Sequence, residues 1–159
     1  MRSEPGEFDP VPILSALTAQ RVEFVVIGGY GAALHASPFF TSGVDVVPKR
    51  SSENVTRLAG ALRSLKARGS ASADRHAPWS FDTGHGELKV VFTPSGTSGF
   101  DDLSRDATSV ALHGVEVRVA SLADIIRSKQ AANRPKDQRV LPTLREILAS
   151  RNPRNRPDS

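Results

Sequence analysis

The chain has 159 residues, 38% of them hydrophobic and 24% charged, with a formal net charge of +4 and no cysteine. That balance fits one soluble globular domain long enough to bury a real core. It excludes a disulfide scaffold and any thiolate metal site, and no apolar run is long enough to span a membrane.

Met1 to Glu7 carries charge with no apolar segment behind it, so no secretory signal is expected and a cytoplasmic address follows. Asp9 and Pro10 open a helix, with Val11, Leu14 and Leu17 at helical spacing through Gln20. Val22 to Ile27 is apolar and β-branched and ends on Gly28-Gly29, which predicts a buried strand. A short Ala-rich helix, Gly29 to His35, comes next. A loop through Pro38, Phe39, Phe40, Thr41 and Ser42 then leads to a strand from Val44 to Val47, closed by Pro48. Ser51 caps a helix reaching Arg68, with Val55, Leu58, Leu62 and Leu65 on one face. Residues 69–79, rich in Gly, Ser and Ala, are expected to form a mobile connection.

Glu87 to Thr93 reads as a strand, with a shorter one before it at Trp79 to Asp82. Asp101 to Ala107 gives at most a turn or two of helix. Val110 to Leu112 and Val115 to Val119 flank His113-Gly114 as a hairpin. Ser121 caps a helix to Ala132, and a last helix runs from Lys136 to Ser150 with a bend at Pro142. Residues 1–150 thus form one domain, and 151–159 form a disordered basic tail. The order of elements predicts an α/β (α+β) fold, a mixed sheet flanked by helices with further helices at the C-terminus. A doubly wound dinucleotide fold is excluded, because Gly28-Gly29 lacks the remaining spaced glycine and the distant acidic residue.

A strand-to-helix turn without side chains lets backbone N–H groups approach phosphate oxygens, and Gly28 and Gly29 make such a turn. Asp45 follows as a lone carboxylate on the next strand. With the Ala-rich helix and the Ser37-Pro38 loop, these features resemble the signature of the nucleotidyltransferase superfamily, the DNA-polymerase-β-like fold. The resemblance continues in Phe81-x-Thr83-x-x-Gly86-x-Leu88-Lys89-Val90 and in Phe100-Asp101-Asp102-Leu103. It runs on through Val117 to Lys129 and Lys136-Asp137, so that it covers roughly residues 20–148. It is nearest to small bacterial members of the abortive-infection and toxin–antitoxin type.

The resemblance implies a nucleoside triphosphate as ligand or substrate, held at Gly28 and Gly29. It also implies Mg²⁺, held by an Asp-x-Asp pair and a third carboxylate on the neighbouring strand. Residues two apart on a strand share a face, and magnesium takes hard oxygen ligands in a two-metal site that neutralises the triphosphate. In this chain Gly43 stands at the first of those positions and Lys89 at the third, so only Asp45 remains. Glu87 shares the strand face of Lys89, about 6–7 Å along, and is the geometric substitute.

By the resemblance, Asp45 and Glu87 are the catalytic candidates, with Asp45 also the metal ligand. Gly28, Gly29, Ser37, Lys89 and Lys129 are the nucleotide-binding candidates. Lys89 is expected to pair with Asp45 or to bind phosphate without metal, and Asp137 to cap the last helix. Each lost charge contact costs about two decades in rate, so transfer is expected to be impaired or lost. Restoring Gly43→Asp with Lys89→Asp should then create metal affinity.

Two other readings stand beside this one. The protein is an active transferase acting on RNA, protein or a small hydroxylated acceptor, as in a toxin–antitoxin pair. Or it is a basic RNA-binding module, since Arg and Lys crowd residues 127–156. RNA or a cognate protein is the partner these readings imply; none involves a membrane.

Overall fold

The computed structural model describes residues 7–74 and 77–151. The chain order is α1 (Pro10–Ala19), β1 (Phe24–Ile27), α2 (Gly28–Leu34), β2 (Gly43–Pro48), α3 (Ser52–Ser64), β3 (Arg68–Ser70) and β4 (Trp79–Asp82). It continues through β5 (Glu87–Val90), α4 (Phe100–Ser104), β6 (Thr108–Leu112), β7 (Val115–Val119), α5 (Leu122–Ala132) and α6 (Pro135–Arg151).

All four residues of β1 are buried, which demands cover on both faces. The strand accordingly lies inside a seven-stranded sheet of order β3-β4-β5-β2-β1-β7-β6. β1 runs antiparallel to β2 and parallel to β7, β2 runs parallel to β5, and the outer pairs are antiparallel. Side chains alternate between the faces. Phe24 and Val26 meet Ile13, Leu14 and Leu17 of α1 and Leu58 of α3 on one side. Val25, Ile27 and Val47 meet Ala32, Ile125 and Leu141 on the other, under α2, α5 and α6. The expected mixed sheet flanked by helices is therefore what the chain forms.

The expected caps are in place. The Asp9, Ser51 and Ser121 side chains accept from the backbone N–H of Val11, Asn54 and Asp124 respectively. Several boundaries differ from the sequence reading, each for a local reason. Val22 donates its N–H to the Leu17 carbonyl to close α1, so β1 begins only at Phe24. α3 stops at Ser64 because Lys66 adopts φ +52°, outside helical space. Arg68 to Ser70, placed partly in that helix and partly in a mobile connection, instead pairs with β4 as an edge strand. β5 ends at Val90 rather than Thr93. α6 runs on through Pro142 and includes Arg151, which the sequence assigned to the tail. Residues 152–159 lie outside the described residues.

One buried polar side chain was hidden in the cap motif. Asn54 accepts from the Glu23 N–H at 2.8 Å and donates to the Glu23 and Lys49 carbonyls at 2.9 and 2.8 Å. It thereby joins α3 to the start of β1 and the end of β2, with its amide fully satisfied.

Candidate functional site

At the end of β1 the chain turns directly into α2, and Gly28 makes the turn with φ +72°, a conformation most side chains resist. A Cβ on Gly28 would stand 2.5 Å from the Asp45 Oδ2 atom, so the Asp45 carboxylate lies directly over the turn. The register of the sheet puts it there, since Ile27 of β1 faces Asp45 of β2. Gly29, one residue on, borders the Thr41 hydroxyl.

A cleft of about 600 Å³ opens beside this turn, on the sheet face that carries α2, α5 and α6. Gly28, Gly29, Ser37, Asp45, Glu87, Lys89 and Lys129, the residues picked out by sequence, all line it. Sequence reasoning placed Arg134 and Lys136 in a general basic surface, but both line the same cleft from the start of α6. Phe39 and Phe40, read from sequence only as part of a connecting loop, also line it.

Asp45 and Lys89 are register partners across β2 and β5, yet they do not form the expected ion pair. The Lys89 ammonium lies 3.7 Å from Glu87 Oε1 instead. Glu87 in turn accepts from Ser80 Oγ at 2.6 Å. Burial pushes the Asp45 carboxyl above its ordinary value. Lys89, Lys129 and Lys136 pull the other way without overcoming it, and Glu87 adds to the rise. Burial likewise lowers Lys129, with Arg134 and Lys136 adding to the fall while Asp137 and Asp45 oppose it. The cleft thus holds four cationic side chains against two carboxylates. Its titratable lining is net cationic.

Magnesium is the cation the resemblance implies, and the residues present do not fit it. At the first expected carboxylate, a Cβ on Gly43 would stand 2.6 Å from the Glu87 carbonyl oxygen, so the backbone of β5 closes that space. At the third stands a cation, Lys89, and the substitute Glu87 is held by Ser80 and Lys89. Among the described residues no three His, Cys, Asp or Glu side chains are grouped to hold a metal ion. Of the three carboxylate positions that the resemblance implies, only Asp45 keeps a carboxylate.

Two networks hold the cleft in shape. Asp137 is fully buried and accepts from the Arg134 N–H at 3.1 Å, the expected capping role at the start of α6. It also accepts from Arg134 Nε at 2.7 Å and lies 3.8 Å from the Lys129 ammonium. Burial works against its charge, but the Arg134 bonds and Lys129 outweigh it, and its pKa lies below the ordinary value. In the second network Arg127 donates to the Gly96 carbonyl, to both oxygens of Asp102 and to Asp124. This ties α4 and α5 to the loop whose Pro94 and Ser95 line the cleft. The Asp102 and Asp124 of the sequence motifs are therefore scaffold. The Arg127 hydrogen bond holds the Asp102 carboxyl below its usual range.

His35, assigned no role from sequence, lies at the end of α2 with its ring Nε2 2.8 Å from the Ala120 carbonyl. Arg151, at the end of α6, meets its Nδ1 at 3.0 Å and donates to its carbonyl at 2.9 Å. His76 lies outside the described residues. No helix among the described residues is long and apolar enough to cross a membrane.

No protein-family model and no curated protein matches the sequence. Solved structures do match. The lincosamide antibiotic adenylyltransferase LnuA, in its lincomycin-bound crystal structure, gives a TM-score of 0.64 at 10% identity over 89% of this chain and 99% of that one. The antibiotic-resistance factor ANT(2'')-Ia, in its solution structure, gives 0.62 at 14% identity over 91% of this chain and 83% of that one. A nucleotidyltransferase-like protein from Paracoccidioides brasiliensis gives 0.55 at 17% identity, covering 91% and 78%. At such identities the likeness speaks to architecture alone. The chain has the nucleotidyltransferase fold.

Proposed function

We propose that this protein binds the phosphates of a nucleoside triphosphate through its own cationic side chains, without a divalent metal, and that metal-dependent nucleotidyl transfer is impaired or lost. One observation carries the reading. Where the fold would gather carboxylates, Gly43 is closed off by the β5 backbone and Lys89 stands in register with the single Asp45. Lys89, Lys129 and Lys136 supply positive charge at that place, and the Gly28-Gly29 turn offers N–H groups at the same cleft. An adenylyltransferase among the solved structures of this fold supports a nucleotide as the ligand.

Asp45 separates this reading from that of a working enzyme. A metal-dependent transferase needs the carboxylate; a metal-free phosphate site is weakened by it, because like charges meet at short range. Asp45→Asn should therefore tighten binding of ATP in the presence of EDTA on the order of tenfold, read by calorimetry. It should also stabilise the fold at neutral pH. A carboxyl with a raised folded-state pKa holds its proton more tightly in the fold, so stability rises as pH falls through that value. Neutralising the side chain removes the cost permanently, and Tm should rise by about 2–4 °C. ATP binding that requires Mg²⁺ and vanishes in Asp45→Asn would overturn the proposal. Transfer of labelled nucleotide to RNA, protein or a small hydroxyl acceptor, abolished by the same substitution, would replace it with the active enzyme.

A further inference from the structure

We propose that Phe39 and Phe40 form a stacking shelf for the base of the bound nucleotide, an inference that rests on the phosphate-binding reading above. Phe40 is 90% exposed and Phe39 40%, and both line the cleft. Two adjacent exposed phenyl residues on the lining of a cleft form a contiguous apolar surface of the kind that serves as a contact site. The only other exposed large hydrophobic among the described residues is Leu148 of α6.

The loop that carries the rings is tethered on both sides. The Ser37 N–H donates to the Ala32 carbonyl at 3.0 Å, and the Phe39 N–H donates to Ser37 Oγ at 3.4 Å. Beyond the rings, Thr41 Oγ1 donates to the Gly43 carbonyl at 3.1 Å. Pro38 removes a further degree of freedom just before the pair. The backbone that carries the rings is therefore held on both sides. It is close to the phosphate turn, because Thr41, next to Phe40, borders Gly29. A ligand with phosphates at Gly29 and a planar ring beside Phe40 spans the two.

The shelf should be tolerant of base identity. A base edge is read by amide or guanidinium groups in bidentate contact. Among the described residues the cleft lining contains no Asn or Gln, and its Arg134 is committed to Asp137. The neutral polar side chains that remain are hydroxyls such as Thr93, Ser95 and Ser128. Stacking asks only for a π-face, which every base has.

The test compares ATP, GTP and inorganic tripolyphosphate by calorimetry in EDTA, with wild type and Phe40→Ala. The substituted residue is exposed, so the variant keeps its core. ATP binding should weaken about tenfold in Phe40→Ala while tripolyphosphate binding stays unchanged, and ATP and GTP should agree within about threefold. If ATP and tripolyphosphate bind wild type alike and neither responds to Phe40→Ala, the shelf is refuted while the phosphate site stands. If neither ligand binds, both proposals fall. Equal loss of both ligands in Phe40→Ala would refute the shelf as a merely disturbed loop. Unchanged ATP binding with weakened binding of a single-stranded oligonucleotide would assign the rings to a nucleic-acid chain and refute it as well.

Discussion

Asp137→Ala should lower the melting temperature by about 10 °C. Two losses combine in this variant. The Arg134 N–H at the start of α6 loses its side-chain acceptor, worth about 1 kcal/mol. The Lys129 ammonium, only 15% exposed, loses the carboxylate 3.8 Å away, and an unpaired cation at that depth costs about 2–3 kcal/mol. At roughly 2–4 °C per kcal/mol for a chain of this size, the sum gives the stated drop. Asp137→Asn keeps an acceptor for the cap and should recover about a third of it. Lys129→Met combined with Asp137→Asn should recover more, because the stranded charge is then gone. A melting temperature within a degree or two of wild type for Asp137→Ala would show that α6 is not anchored this way.

The same carboxylate sets the acid limb of stability. Its folded-state pKa lies below its ordinary value. Its contribution is therefore complete above the ordinary carboxylate range and is lost as pH falls through the folded-state value. Wild type should lose this increment in acid, and Asp137→Ala should show a flatter acid limb.

Gly43→Asp should destabilise the protein by about 2 kcal/mol or more and create no magnesium site, alone or with Lys89→Asp. Comparison of sequence positions expects the opposite, since it treats Gly43 as a missing side chain. In the fold, the place where that side chain would start is occupied. A Cβ there would lie 2.6 Å from a backbone carbonyl of β5, and 3.2 Å from the Glu87 Cβ. Backbone oxygen cannot swing aside as a side chain does; β5 would have to part from β2, breaking the pairing that positions Asp45. Thermal unfolding and Mg²⁺ titration of the single and double variants measure both effects. A stable double variant that binds Mg²⁺ would mean that the two strands separate at little cost and that the site is merely stripped.

The architecture was legible because burial and capping leave strong marks. The run Val22 to Ile27, ended by Gly28-Gly29, declares a buried strand, and Asp9, Ser51 and Ser121 declare helix starts. The edge strand β3 left no such mark, since Arg68, Gly69 and Ser70 are exposed and take their form from pairing with β4 alone. For the cleft, the family resemblance of the segments around Gly28, Asp45, Lys89 and Lys129 was enough to name residues that share one cavity. What spacing cannot convey is who bonds to whom. Lys89 turns to Glu87, two residues along its own strand face, although Asp45 is its register partner on β2. Arg127 reads as one more surface cation until the Gly96 loop and α4 are seen to meet α5 at its guanidinium.

Helix α6 forms one wall of the cleft and is pinned at its two extremities, by Asp137 with Arg134 at one and by His35 with Arg151 at the other. A beam clamped at both tips does not hinge. Backbone amides at both ends of α6 are therefore expected to exchange with solvent more slowly than those of an unanchored helix end, which hydrogen exchange measures. Shortening the chain to remove Arg151 would unfasten one tip, and the wall would begin to breathe from that end first.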